Sequence, residues 1–299
     1  RVKDRKKTSM SEEDQNAPSA PTPSATASPV SRELQLRIAS GAVVAAVALL
    51  AVWAGPMPFA VLVFAVAAAM SWEWGRIVRK EGFDVPGVLH IASVGAAALL
   101  SGLGMAGLGV AAVAIGAIAV SALLFGGGQA KLSSLGVLYT GLPVVALVWL
   151  RSDASLGLLA VVFILLAVAV TDIAAYATGR TVGGPKLAPR ISPGKTWSGL
   201  AGGVIAASIA GGLLGLLTQR GNPGWMAFLA LLLALIAQAG DLAESALKRA
   251  YGLKDASDLI PGHGGFMDRM DGIVAAATAA ALIALMIDAY APARALLHG

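Results

Sequence analysis

Six carboxylates fall within 31 residues near the end of the chain: Asp241, Glu244, Asp255, Asp258, Asp268 and Asp271. Across 85–240 there are only two others, Asp153 and Asp172. Lys248, Arg249, Lys254, His263 and Arg269 are interleaved with the six. Carboxylate oxygens suit Mg2+ or another hard cation, and the neighbouring side-chain cations suit phosphate oxygens. A solvated loop laced with salt bridges would have the same composition, but the surroundings argue against it. GDLAESALKRA continues the apolar run LLLALIAQA without a breaker. Read as one helix, it spaces Asp241, Glu244, Ser245 and Lys248 at i, i+3, i+4 and i+7, on a shared face. Carboxylates at membrane depth are expensive unless partnered, which makes this face a functional candidate.

The stretch GHGGFMDRMDG, residues 262–272, adds backbone freedom to charge. Gly264 and Gly265 permit turns closed to other residues and let main-chain N–H groups approach an anion. Asp268 and Asp271 share a face if a helix begins near Phe266, and acids there also suit the helix dipole. Capping is thus the alternative to metal binding for Asp268, and the partners offered by Asp241 and Glu244 favour the metal. The candidate ligand set is Asp241, Glu244, Asp268 and Asp271. His263 could equally satisfy a backbone group or meet a phosphate.

A second polar stretch, RTVGGPKLAPRISPGKTWSG, is purely cationic. Lys186, Arg190 and Lys195, with Ser192 and Thr196, are expected to form an anion site. SPGKT does not fit G-x-x-x-x-G-K-[ST], so no P-loop is assigned. The competing reading is an anchor that touches anionic headgroups. Asp172, near the end of an apolar run with Tyr176 one turn on, is expected to face the interior of the bundle.

The elements that must hold these groups are hydrophobic. Fifty-seven per cent of the 299 residues are apolar and 13 per cent charged, against about 25 per cent charged in soluble domains. The fold class expected is therefore all-α, a polytopic integral membrane protein. Nine spans are placed at 38–55, 57–74, 87–104, 106–125, 134–150, 155–178, 197–218, 224–240 and 272–290, each near the roughly 20 residues a bilayer needs. With no cysteine there is neither a disulfide framework nor a thiolate metal site. The net charge of +5 lies between apolar runs rather than in one patch, so it points to topology and not to nucleic acid.

The Lys/Arg bias puts the loops at 75–86, 126–133, 179–196 and 241–271 on the cytoplasmic side. Residues 1–37, a charge run followed by a Pro/Ser/Ala/Thr stretch, read as disordered, with Met10 a candidate natural start and no secretory leader expected. The organisation expected is the 1–37 tail, N-terminal spans over 38–150 and a catalytic membrane domain over 151–299.

At this point the residues carry a resemblance. SALKRAYGLKDASDLIPGHGGFMDRMD, residues 245–271, resembles the signature of the phosphatidate cytidylyltransferases, also called CDP-diacylglycerol synthases. Ser245, Lys248, Arg249, Lys254, Asp255, Pro261, His263, Gly264, Gly265, Asp268, Arg269 and Asp271 occupy its fixed positions. Upstream, GDLAES and TDIAAYATGRTVGGPKLAPRISPGKTWSG are similar to further family segments, with Ser198 where the family often has glutamate.

The resemblance implies transfer of a cytidylyl group from CTP to phosphatidic acid, a step of phospholipid biosynthesis. It also implies about nine spans around a cytoplasm-facing polar cavity, in a bacterial inner membrane and commonly in a homodimer. Asp241 and Asp268 correspond to the family's metal-binding aspartates, with Mg2+ as the divalent ion and K+ as a possible second one. The catalytic candidates are Asp241, Asp268, Lys248, Arg249, Lys254, His263 and Arg269. Lys186, Arg190, Ser192, Lys195, Thr196, Ser245, Gly264, Gly265, Asp172 and Tyr176 are the candidates for substrate contact.

The nucleophile, a phosphate oxygen, is already anionic near neutral pH. The reaction therefore needs charge neutralisation and in-line positioning more than a strong base. Three other readings compete. An ion-coupled transporter would place charges at the centres of its spans, whereas here they gather at the ends. A CTP-dependent polyprenol kinase would move the γ-phosphoryl group instead. An inactive paralogue would have lost a fixed position, and none is lost.

Overall fold

The computed structural model describes residues 41, 46–125, 127–259 and 264–299. The expectations of a disordered tail and of a start at Met10 lie outside them. So does the start of the first span, of which residues 46–54 are seen as helix α1. There follow α2 (Pro56–Arg79), α3 (Val85–Gly102), α4 (Ala106–Leu123), α5 (Ala130–Arg151) and α6 (Gly157–Thr181). Strands β1 (Lys186–Ala188) and β2 (Ser192–Thr196) precede α7 (Trp197–Thr218), α8 (Pro223–Ala250), α9 (Met267–Ile287) and α10 (Pro292–His298). Among the described residues eight helices, α2 to α9, are long and apolar enough to cross a membrane. The protein is an all-α polytopic membrane protein, as its hydropathy predicts.

Two sets of helices pack in chain order. Each of α2 to α5 lies against the next, with α2 and α3 also against α5, while α6, α7 and α8 form a second set. Helix α9 joins them by packing on α5, α6 and α8. The core of the second set is apolar, with Phe163, Ile164, Leu229, Leu233, Ala276 and Ala280 fully buried. Small residues allow close approach in lipid, where packing holds helices together. At Gly240 of α8 an added Cβ would lie 2.9 Å from the Asp271 carbonyl of α9 and 2.6 Å from Ala275 Cβ. Any larger residue there would push apart the two helices that carry the acids.

The helix ends follow familiar chemistry. Thr196 caps α7 by accepting the Gly199 N–H at 3.0 Å, and Asn222 caps α8 by accepting from Gly224 and Trp225. Asp84 caps α3 and takes two hydrogen bonds from Arg79, at 2.7 and 2.9 Å. The Arg79 guanidinium holds its carboxyl below the usual carboxylate range.

Three features differ from the sequence reading. The cationic 179–196 segment is not wholly loop: β1 and β2 pair antiparallel, Lys186 opposite Thr196 and Ala188 opposite Ser192. Helix α5 starts at Ala130 rather than 134, because Lys131 ends the hydropathy run without ending the helix. The C-terminal stretch forms α10, whose Leu296 and Leu297 are buried. The Leu296 and Leu297 carbonyls accept from Trp225 Nε1 and from the Asn222 N–H.

Candidate active site

The end of α6, the β1–β2 hairpin, the last turns of α8 and the first turns of α9 meet around a polar cavity of about 610 Å3. Helix α8 does run on past residue 240 to Ala250, carrying Asp241, Glu244, Ser245 and Lys248. Asp172, Tyr176, Lys186, Lys195, Thr196, Asp241, Asp268, Arg269 and Asp271 all line the cavity. Residues from three distant segments are therefore brought together.

Two ammonium groups organise the carboxylates. Lys195 of β2 lies 2.7 Å from Asp241 and donates to Gln238 Oε1 at 2.9 Å. Gln238 in turn donates to Asp172 at 3.1 Å, so its amide orientation is fixed at both ends. Ser245 donates to the other oxygen of Asp241 at 3.3 Å. Behind the cavity, Lys248 donates to Asp268 and lies 3.1 Å from Glu244 Oε1. That second contact is an ion pair by distance, and both Glu244 oxygens are buried without a hydrogen bond. The remaining oxygen of Asp268 accepts the Ala256 and Gly265 N–H groups at 3.0 and 2.8 Å.

Five carboxylates, Asp172, Asp241, Glu244, Asp268 and Asp271, therefore face two paired ammonium groups. Asp271 stands in the field of both Asp241 and Glu244. Among the described residues, no three of the acids and histidines are set as a ready metal site. The donor chemistry nevertheless fits a hard divalent cation: the carboxylates outnumber the ammonium groups paired with them, and Glu244 Oε2 is buried with no hydrogen-bond partner among the described residues. In the same cavity Lys186 and Lys195 of the hairpin, Arg180 of α6 and Arg269 of α9 supply positive charge. Arg180 also donates to the Tyr176 hydroxyl at 2.7 Å. A site that mixes cationic side chains with carboxylates in this way can hold polyphosphate oxygens.

Comparison with known proteins decides between the families that could use such a site. A sequence profile described as "Cytidylyltransferase family" matches residues 35–287. The chain belongs to that family. It is 41% identical over 256 residues to the phosphatidate cytidylyltransferase of Brucella suis biovar 1 (strain 1330), covering 82% of this chain and 90% of the relative. It is 30% identical over 253 residues to the phosphatidate cytidylyltransferase of Bacillus subtilis (strain 168), covering 81% and 94%. The protein of the same description from Haemophilus influenzae (strain ATCC 51907 / DSM 11121 / KW20 / Rd) is 40% identical over 126 residues, covering 40% of this chain and 43% of the relative.

Within this cytidylyltransferase the expected site residues do not all have the same standing. Arg249 hydrogen-bonds the Ile191 and Leu253 carbonyls, tying α8 to the turn of the hairpin. Arg190 and Lys254 are exposed, Ser192 lies in the hairpin, and none of them lines the cavity. Thr196 lines it, but its hydroxyl is committed to capping α7. Gly264 takes φ +80, a conformation that suits glycine, directly beside the Asp268 carboxylate. Ser198 donates to the Gly183 carbonyl and so braces the chain entering the hairpin. His263 lies outside the described residues.

Two functional side chains escaped the sequence reading. Gln238 bridges Lys195 and Asp172, yet in the sequence it is one amide at the end of an oily run. Glu73 of α2 hydrogen-bonds the start of α9. Its only signal was an acid inside an apolar segment, which at membrane depth calls for a partner.

Proposed function

We propose that this enzyme transfers the cytidylyl group of CTP to phosphatidic acid, giving CDP-diacylglycerol and pyrophosphate. The observation that carries the reading is the gathering of cations and carboxylates in one cavity at the end of the bundle. Lys186, Lys195, Arg180 and Arg269 line it together with Asp172, Asp241, Asp268 and Asp271. The identities to enzymes described as phosphatidate cytidylyltransferases support the choice of acceptor.

An oxygen of the lipid phosphate attacks the α-phosphorus of CTP, and the bond from that phosphorus to the bridging oxygen breaks to release pyrophosphate. The attacking oxygen is already ionised near neutral pH, so no residue has to remove its proton. The cationic side chains hold the triphosphate and the lipid phosphate in line and neutralise charge gathering on the departing pyrophosphate. Lys195 is placed for this by Asp241 and by the Gln238–Asp172 relay. Asp241 and Asp271, backed by Glu244 and Asp268, would hold a divalent cation such as Mg2+, which supplies Lewis-acid polarisation of phosphate oxygens. A second cation, K+, and a homodimer belong to the proposal through family resemblance alone. The bacterial relatives support an inner-membrane enzyme, and the Lys/Arg bias of the loops supports a cavity that opens to the cytoplasm, where CTP is found.

The test uses purified protein in detergent with phosphatidic acid, Mg2+ and CTP labelled separately at the α- and γ-phosphates. Label from the α position in the lipid, with pyrophosphate released, is expected. Label from the γ position would instead make the protein a lipid kinase. No transfer of either label, where a relative works, would leave an ion-coupled transporter as the better reading.

A further inference from the structure

Glu73 is fully buried on α2, 0% exposed, and does not line the polar cavity. Its carboxylate is satisfied entirely by the segment leading into α9. Oε1 accepts from the Ser257 hydroxyl and from the Phe266 N–H at 2.9 Å, and Oε2 accepts the Met267 N–H at 2.8 Å. Phe266 and Met267 are the N-cap and first residue of α9, and Phe266 offers no side-chain cap of its own. The first N–H groups of a helix have no partner within it, and its positive end favours an anion. Here the anion arrives from another helix, more than 190 residues earlier in the chain.

Asp268 pins the same segment from the other side, through Ala256 and Gly265. The two carboxylates therefore alternate along it: Ala256 binds Asp268, Ser257 binds Glu73, Gly265 binds Asp268, and Phe266 and Met267 bind Glu73. The packing at the crossing is tight, since a Cβ on Gly265 would lie 2.5 Å from Glu73 Oε1. Rotation of the first turn of α9 about its axis would break the Glu73 contacts and the Ala256–Asp268 contact together.

We propose that Glu73 is a positioning residue for the reaction, fixing the first turn of α9 and hence the direction from which Asp268, Arg269 and Asp271 face the cavity. It acts through the backbone and touches neither substrate nor cation. The inference deepens the cytidylyl-transfer reading and rests on it.

Glu73→Gln tests it. The amide keeps one acceptor but turns the other position into a donor aimed at a backbone N–H. Two readouts are taken on folded protein in detergent: amide hydrogen exchange over residues 256–270, and steady-state kinetics with α-labelled CTP. The expected result is faster exchange confined to that segment and the adjoining turn of α2. With it, kcat falls about 10- to 100-fold, the scale set by misplacing a reacting group by about an ångström. The KM for CTP changes far less than kcat, because Lys186, Lys195 and Arg180 stand on other elements. Unchanged exchange would overturn the clamp. Faster exchange with kcat per folded molecule intact would reduce Glu73 to a stability element and overturn the positioning role. If the wild type transfers no α-label, the functional reading falls, while the exchange comparison still decides whether the clamp exists. Should Glu73→Gln fail to fold, Ser257→Ala removes one of the three contacts, and the same two readouts apply to it in milder form.

Discussion

The first turns of α9 present two faces that could hardly differ more. Asp268, Arg269 and Asp271 line the polar cavity of about 610 Å3, while Phe266, Met270, Ile273 and Val274 line an apolar one of about 280 Å3 bounded by α2 and α5. In the sequence the two sets interleave as FMDRMDGIV, and the helical period turns Asp268 and Asp271 away from Phe266 and Met270, with Arg269 at the boundary. Charge and oil are thus separated by the thickness of one helix. The separation is only as good as the rotational setting of that helix, which Glu73 and Asp268 hold from either side.

The comparison breaks most severely at the polar face. Asp268→Asn should lower cytidylyl transfer about 10³-fold, on the scale of losing one group that stabilises charge in a transition state. It weakens the contact to Lys248 while leaving the shape of the side chain and most of the fold. α-Label transfer by purified protein checks it, and near-normal turnover would remove Asp268 from the site.

Lys248→Met probes what lies behind that face. Lys248, Glu244 and Asp268 have side chains 10%, 1% and 10% exposed, so removing the ammonium strands two buried carboxylates. Deleting one partner of a buried pair costs about 3 kcal/mol, and a lowered midpoint of thermal unfolding in detergent is the expected outcome. A variant as stable as the wild type would mean that the acids are neutralised by something other than Lys248.

Lys195→Met should separate binding from stability. Its pair with Asp241 is partly solvated, with side chains 18% and 29% exposed, so stability should change by less than about 1 kcal/mol. The KM for CTP should rise about tenfold, the worth of one charge-assisted hydrogen bond. A large stability loss with unchanged KM would place Lys195 in the scaffold rather than in the site.

Much of this was legible from residues alone. Long apolar runs mark α2 to α9, and the unbroken passage from LLLALIAQA into GDLAESALKRA foretold that α8 carries its acids beyond the hydrophobic stretch. Hydropathy placed the last span only from 272, and the start of α9 near Phe266 was the condition under which Asp268 and Asp271 would share a face; the helix does begin there, at Met267. What stayed hidden depends on partners far along the chain. Glu73 is decided by backbone groups at 266 and 267, and Gln238 by Lys195 and Asp172. The hairpin was obscured because Pro189, Pro193 and Gly194 interrupt its short strands' sequence, and the pairing of Lys186 with Thr196 joins residues ten apart. The exposed Arg190 and Lys254 illustrate the converse: composition gathers cations into a segment without saying which of them turn inward.

The mildest change tests the apolar face on its own. Met270→Leu lies between Arg269 and Asp271 in sequence, yet it packs toward Met70, Trp74 and Ile77 rather than toward the cations. A volume-conserving swap among apolar side chains costs less than about 1 kcal/mol when the site can repack, and the cavity alongside leaves room to do so. Turnover and KM for CTP should both stay at wild-type values, because nothing in the polar cavity is touched and the Glu73 contacts are to backbone. A marked fall in kcat from this substitution would show that the rotational setting of α9 depends on side-chain packing against α2 as much as on the two carboxylate pins.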